Sequence, residues 1–241
     1  ALLNSICGLE DSNIVSGIRL GAVGLGSSND FHKPFLSERF INDVPCKLDF
    51  RYSSLRDVGR LSFEEDGTRF LRYFLANASS GVTAEANRFF NHPTPTLEFL
   101  KRWSTSTAIL FAAIRTIFLY RNFECTFQFG NNVHYATHLT NLAVMKNPHV
   151  SGSFSYDTPV LPDDGAFAIN LSENMSKTEL WHLLYSLSHG RFTNLDHTQS
   201  WSKPSITITS VQPIAVEYDG EIVITRSAEF TVLQKYIQVC P

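Results

Sequence analysis

This sequence of 241 residues has no paired cysteines, no long apolar run and little net charge, and each lack excludes something. Its four cysteines, Cys7, Cys46, Cys125 and Cys240, are scattered and form no C-x-x-C pair. That spacing supplies neither a zinc site nor a dense disulfide framework, and reduced thiols in a cytoplasmic protein are the expectation. No apolar run approaches the roughly 18 residues needed to span a bilayer; the nearest, Ala108 to Tyr120, is cut by Arg115. No charged start leads into an apolar core as in a signal peptide. A net charge of −3 gives no global basic field, so no nucleic-acid partner is expected, and any membrane contact falls to a local patch. The histidines lack ligand geometry as well. His134 and His138 fall in a loop-to-strand region where their spacing does not converge on a metal, and His182 and His189 share a helix with no carboxylate partner.

What is present describes an ordinary folded protein, with 43% hydrophobic and 18% charged residues and enough length to bury a real core. The fold class expected is a two-domain α+β or α/β arrangement. Residues 1–57 read as the later part of an α/β nucleotide-binding domain, and residues 58–241 as a strand-rich, β-sandwich-like domain with two helices. The last strands are free to return to the first domain. Ala1 to Gly8 reads as the middle of an amphipathic helix, which suggests that residues once stood before it, and Leu9 to Gly17 reads as a loop. Pro45 to Tyr52 alternates like a strand with one wet face. Val58–Phe63 and Arg69–Ala76 alternate on either side of Glu65-Asp66-Gly67-Thr68, a tight hairpin signal. Thr96 to Tyr120 reads as one long helix, and Lys177 to His189 as another, with Ser176 and Glu179 in capping-box spacing. Glu124–Phe129, Tyr135–Met145, Gly165–Leu171, Ser205–Thr209, Ile214–Glu217 and Glu221–Thr225 read as strands.

The chain is organised around Ile18 to Pro34. A short apolar strand to Val23 runs into Gly24 and Gly26, then into Ser27, Ser28, Asn29 and Asp30. A strand, a glycine turn and polar groups at a helix start can present free N–H groups to a phosphate. An ordinary capped βα turn gives the same pattern, with Asn29 or Asp30 as the cap. Three acidic clusters also sit at turns, Arg56-Asp57-Val58-Gly59, Pro162-Asp163-Asp164-Gly165 and Tyr218-Asp219-Gly220-Glu221, and each taken alone is a hairpin signal.

Taken together and in order, these motifs resemble the catalytic domain of the diacylglycerol kinase family, which includes bacterial lipid kinases and sphingosine kinases. The resemblance runs from Gly26-Ser27-Ser28-Asn29-Asp30-Phe31 through Asp57-Val58-Gly59 and Tyr73 to Glu85, and closes with Pro162 to Gly165 and Asp219-Gly220-Glu221. It implies an active site in the cleft between two domains, with ATP and Mg2+ as cofactors. Gly26, Ser27, Ser28, Asn29 and Asp30 would approach the nucleotide. Asp30, Asp57 and Asp164 would belong to magnesium sites, the last of them structural. Asp57 is grouped with the catalytic residues, Glu221 is the candidate general base, and Asp219 supports its turn. Phosphoryl transfer needs a cation to offset charge on ATP, and a lipid hydroxyl needs a carboxylate to take its proton. Two departures stand out. Ser27 replaces a threonine, and the family's Gly-Gly-Asp-Gly motif is missing ahead of Ala1, which suggests that this chain does not turn over alone.

Three functions are expected in turn. The first is a lipid kinase acting on diacylglycerol to give phosphatidate. The second keeps the chemistry but uses a sphingoid base or another lipid alcohol, and the third is a catalytically incomplete fragment or lipid-binding module. The partners expected are ATP and a lipid at the membrane surface, met through peripheral contact by the helix from Thr96 to Tyr120 or the loop after Phe89. A homodimer stays open as an assembly.

Overall fold

The structure, a computed structural model, describes residues 2–9, 12–26, 28–92, 94–130 and 133–241. Ala1 and Ser27 therefore lie outside the described residues. Among the described residues a ten-stranded sheet forms the frame. Its strands are β1 (Arg19–Leu20), β2 (Ser54–Glu65), β3 (Thr68–Phe74), β4 (Asn77–Gly81), β5 (Phe123–Phe129), β6 (Val133–Met145), β7 (Phe167–Glu173), β8 (Thr198–Lys203), β9 (Ser205–Tyr218) and β10 (Glu221–Val239). The order is β8-β7-β6-β4-β9-β10-β2-β3, with β1 beside β10 and β5 between β6 and β9. All pairings in it are antiparallel except β1 with β10.

The sheet doubles back on itself. Phe74 near one edge stacks on Phe167 near the other, with ring centroids 5.7 Å apart. Leu61, Phe127, Leu142, Ile169, Ile208 and Phe230 fill the interior between the two halves. Gly59 is required at that seam, because a Cβ there would lie 2.2 Å from the Phe74 ring. On the other face of the sheet, Ala143, Met145 and Ala168 pack against helices α5 (Thr105–Leu119) and α6 (Lys177–Ser188).

Several expectations hold. The Asp66-Gly67 hairpin closes with positive φ at both residues, 49° and 75°, as its dipeptide requires. The capping box of α6 forms, with Ser176 accepting from the Glu179 N–H and the Glu179 carboxylate accepting from the Ser176 N–H. The four cysteines are free and buried.

Other readings are corrected. The region read as a loop contains helix α2 (Ser12–Gly17), which comes after α1 (Leu2–Cys7). The strand read over Ile18–Val23 breaks at Gly21, and only Val44–Lys47 of the stretch to Tyr52 is extended. The long helix divides into α4 (Pro95–Trp103) and α5, because Ser104 is extended and its hydroxyl accepts from the Thr107 N–H, starting a new helix. Helix α3 (Val82–Asn91) was not anticipated, so the strand-rich region carries four helices among the described residues. Residue 57 lies inside β2, and the end of β10 returns to the first segment as expected, pairing with β1 as Gln238 opposite Arg19 and Val239 opposite Leu20.

Candidate active site

A cavity of about 560 Å³ opens where the sheet meets its helices. Val82 of α3, Ile109 and Ile117 of α5, Leu180 and Leu183 of α6 and Phe154 give it apolar walls. Its polar end holds Ser28, Asn29, Asp30, Asn141, Glu217 and Asp219. An apolar pocket with a few convergent polar groups suits a ligand that is itself apolar at one end and polar at the other.

The strands set this polar end. Strand β9 runs apolar and buried from Ile214 to Val216, and Glu217 continues it into the interior. Glu217 stands directly opposite Ser79 of β4, and the Ser79 hydroxyl donates to Oε2 at 2.9 Å. The Gly220 N–H donates to Oε1 at 2.6 Å. Burial pushes the Glu217 carboxyl up to about 7, although both donors oppose the rise. Two residues on, Asp219 and Gly220 make a hairpin turn with φ of 45° and 91°. The Asp219 carboxylate accepts from the N–H groups of Leu75, Ala76 and Asn77 at 2.7, 3.0 and 3.1 Å, which ties this turn to the bend between β3 and β4. Gly81 then turns the chain from β4 into α3 at φ 96°, where a Cβ would sit 2.5 Å from the Thr140 carbonyl oxygen.

The glycine-rich stretch supplies the other wall. Asn29 is left-handed at φ 51°, and its Oδ1 accepts from the Gly26 N–H at 3.1 Å. The chain then makes a single short 3-10 turn, Asp30–His32, so no α-helix starts at Asn29 or Asp30. Asp30 accepts from Lys33 Nζ at 2.8 Å and from the Gly152 N–H at 3.0 Å. Lys33 also donates to the Gly152 carbonyl, so the two carboxylate contacts are held as a unit.

Asp57 and Asp164 belong to a different cluster. Lys146, at the start of the loop after β6, donates to Asp57 Oδ2 at 2.8 Å, to Asp164 Oδ1 at 2.9 Å and to the Ala166 carbonyl at 2.8 Å. Asp57 accepts further from the N–H groups of Gly165 and Lys235, at 2.8 and 2.9 Å. Burial alone would raise the Asp164 carboxyl, but Lys146 and the Ala166 N–H outweigh it and hold Asp164 below the usual carboxylate range. The neighbour Asn147 links this cluster to the cavity by donating to the Asp30 carbonyl at 2.9 Å. Glu221 is exposed on the far side of the hairpin turn and does not line the cavity.

Of the residues anticipated, Gly26, Ser28, Asn29, Asp30 and Asp219 therefore meet around one cavity. Asp57, Asp164 and Glu221 do not join them, which corrects the expectation of a cleft shared by Asp30, Asp57 and Glu221. Glu217, Ser79 and Lys146 were missed. For Glu217 the one available signal was an acid prolonging an apolar strand just ahead of a turn.

Magnesium can be tested against these residues. Among the described residues no three His, Cys, Asp or Glu side chains come together to hold a metal ion. Asp57 and Asp164 already share the Lys146 ammonium, a single positive charge where a divalent ion would bring two. Three carboxylates reach the cavity, Asp30, Glu217 and Asp219, but Asp219 is taken up by three N–H donors and Asp30 by Lys33 and the Gly152 N–H, so an ion there would be held mainly by nucleotide phosphates and water.

No protein-family model and no curated protein matches this chain. Solved structures do. A diacylglycerol kinase from Bacillus anthracis str. Sterne matches at TM-score 0.50 and 13% identity, over 79% of this chain and 54% of that one. Two structures of candidate diacylglycerol kinases from the same organism match at TM-scores of 0.54 and 0.56 and identities of 15% and 17%, each over 79% of this chain and 57% of the other. The chain thus spans a little over half the length of these proteins. At such identities the likeness is one of fold, and the chain shares the mixed α and β fold of these diacylglycerol kinase structures.

Proposed function

We propose that this protein is a lipid kinase, moving the γ-phosphoryl group of ATP to the free hydroxyl of diacylglycerol to give phosphatidate. The observation that carries the reading is Glu217, a buried carboxylate at the polar end of an apolar cavity. A general base works best when its pKa lies near the operating pH, and the Glu217 carboxyl sits at about 7. Ser79 and the Gly220 N–H fix its two oxygens, and Asp219 holds the turn that carries Gly220. In this reading Glu217 accepts the proton of the lipid hydroxyl, a role the sequence alone had suggested for Glu221.

The acyl chains occupy the apolar walls from α3, α5 and α6, which also keep water from the reacting hydroxyl. Gly26, Ser28 and Asn29 face the nucleotide, and Asp30, oriented by Lys33 and Gly152, faces its cation. Bound magnesium would offset charge on the phosphates. Asp57 and Asp164 act through Lys146 as a structural ion cluster.

The test is phosphoryl transfer from γ-labelled ATP with magnesium by the whole protein, with any residues that precede Ala1, using diacylglycerol or a sphingoid base in mixed micelles. Labelled phosphatidate is the expected product. Label in the sphingoid base alone would change the acceptor, and label in neither would overturn the reading.

A further inference from the structure

Helix α4 leaves two large aromatic side chains in water. Phe99 is 69% and Trp103 76% exposed, and at i, i+4 they stand on one face of the helix. Leu97, about 200° away from Phe99 around the axis, is fully buried, so the helix is seated on the protein by its other side. Helix α4 and the helix after it carry an excess of positive charge in sequence. Between Thr94 and Asn122 lie Lys101, Arg102, Arg115 and Arg121 against the single carboxylate of Glu98, in a chain whose net charge is −3. Lys101 ties α4 to the cavity: its ammonium lies 3.9 Å from the centroid of the Phe90 ring, and Phe90 lines the cavity wall. Among the described residues no helix is long and apolar enough to cross a membrane.

The geometry points to α4 as a docking element that sets Phe99 and Trp103 into the interface of an anionic lipid bilayer. The occupant follows from charge, because Arg102, exposed next to Trp103 on α4, and the cationic excess of these two helices in an acidic chain complement anionic headgroups, while exposed tryptophan and phenylalanine suit the boundary between headgroup and acyl chain. This rests on the lipid-kinase reading and adds the surface through which the acceptor is reached. Docking by α4 would bring the Phe90 wall of the cavity towards the membrane that holds the acceptor.

Co-sedimentation of the full chain with vesicles of phosphatidylcholine, with and without phosphatidylglycerol, tests it. The wild-type protein is expected to bind the anionic vesicles, and to bind less as salt rises. Phe99→Ser with Trp103→Ser is expected to weaken binding by at least about tenfold, with the melting temperature unchanged because both side chains are exposed. Arg102→Gln is expected to weaken it about fivefold at low salt. Failure of the wild type to bind, or equal binding by the double variant, overturns the proposal. So does sedimentation velocity without lipid that shows a dimer lost in the double variant, which would give this face to a second copy of the chain. Lipid phosphorylation in detergent micelles separates the two ideas: micellar activity without vesicle binding defeats the docking surface alone, and vesicle binding without micellar activity defeats the kinase alone.

Discussion

Replacing Glu217 by glutamine is expected to stabilise the fold at alkaline pH while removing turnover. Glu217 is 5% exposed, and its carboxyl rises from an ordinary 4.5 to about 7 on folding. A raised carboxyl favours folding fully below the unfolded value and loses that contribution as pH rises through the folded one, so the window lies between about 4.5 and 7. Above it the wild-type protein carries an unneutralised buried charge that costs about 3 kcal/mol. Glutamine has the same shape without the charge. Its carbonyl still accepts from Gly220, and the Ser79 hydroxyl can turn to accept from the amide. For a chain of this size, 1 kcal/mol moves the melting temperature by about 2–4 °C, so the variant is expected to melt roughly 6–12 °C higher at pH 8.5 and within about 2 °C of wild type at pH 4.5. Thermal melts of both proteins at the two pH values give the comparison, and groups that titrate in both cancel in the difference. An equal offset at both pH values, or no offset at pH 8.5, would refute the claim that a buried ionised carboxylate burdens this fold. In the phosphoryl-transfer assay the same variant is expected to lose about 10²–10⁴ in kcat.

Glu221→Ala is expected to leave kcat within about threefold of wild type, since the side chain is exposed outside the cavity; a loss as large as that of Glu217→Gln would return the base role to Glu221. Lys146→Met is expected to cost about 3–5 kcal/mol in urea unfolding, because Asp57 would be left charged and unpaired with a side chain that is 0% exposed. Adding Asp57→Asn is expected to recover part of that loss, and a further drop would show that the pair is not what holds the cluster. Ser176→Ala removes the cap of α6 and is expected to cost about 1 kcal/mol by the same measurement.

The features legible in the sequence were those whose physics is local. Asp66-Gly67 and Asp219-Gly220 specify hairpin turns because aspartate tolerates and glycine prefers positive φ, whatever lies around them. Ser176 and Glu179 close a capping box within one helical turn. Helix α5 and the alternating strands are likewise written in periodicity. The split at Ser104 was hidden because two helices in tandem share one apolar rhythm, and only the cap between them marks the change. The ordered acidic turns made the resemblance visible, and with it the fold.

Only the tertiary structure decided which carboxylates meet. Glu217 is a site residue because β9 pairs with β4 and buries it opposite Ser79, a partner 138 positions away in sequence. Asp57 and Asp164 leave the cavity because Lys146 reaches both of them, at separations of 89 and 18 positions. Short-range rules fix turns, caps and periodicity. The protonation and grouping of acids depend on burial and on distant neighbours, which exist only once the sheet has closed on itself.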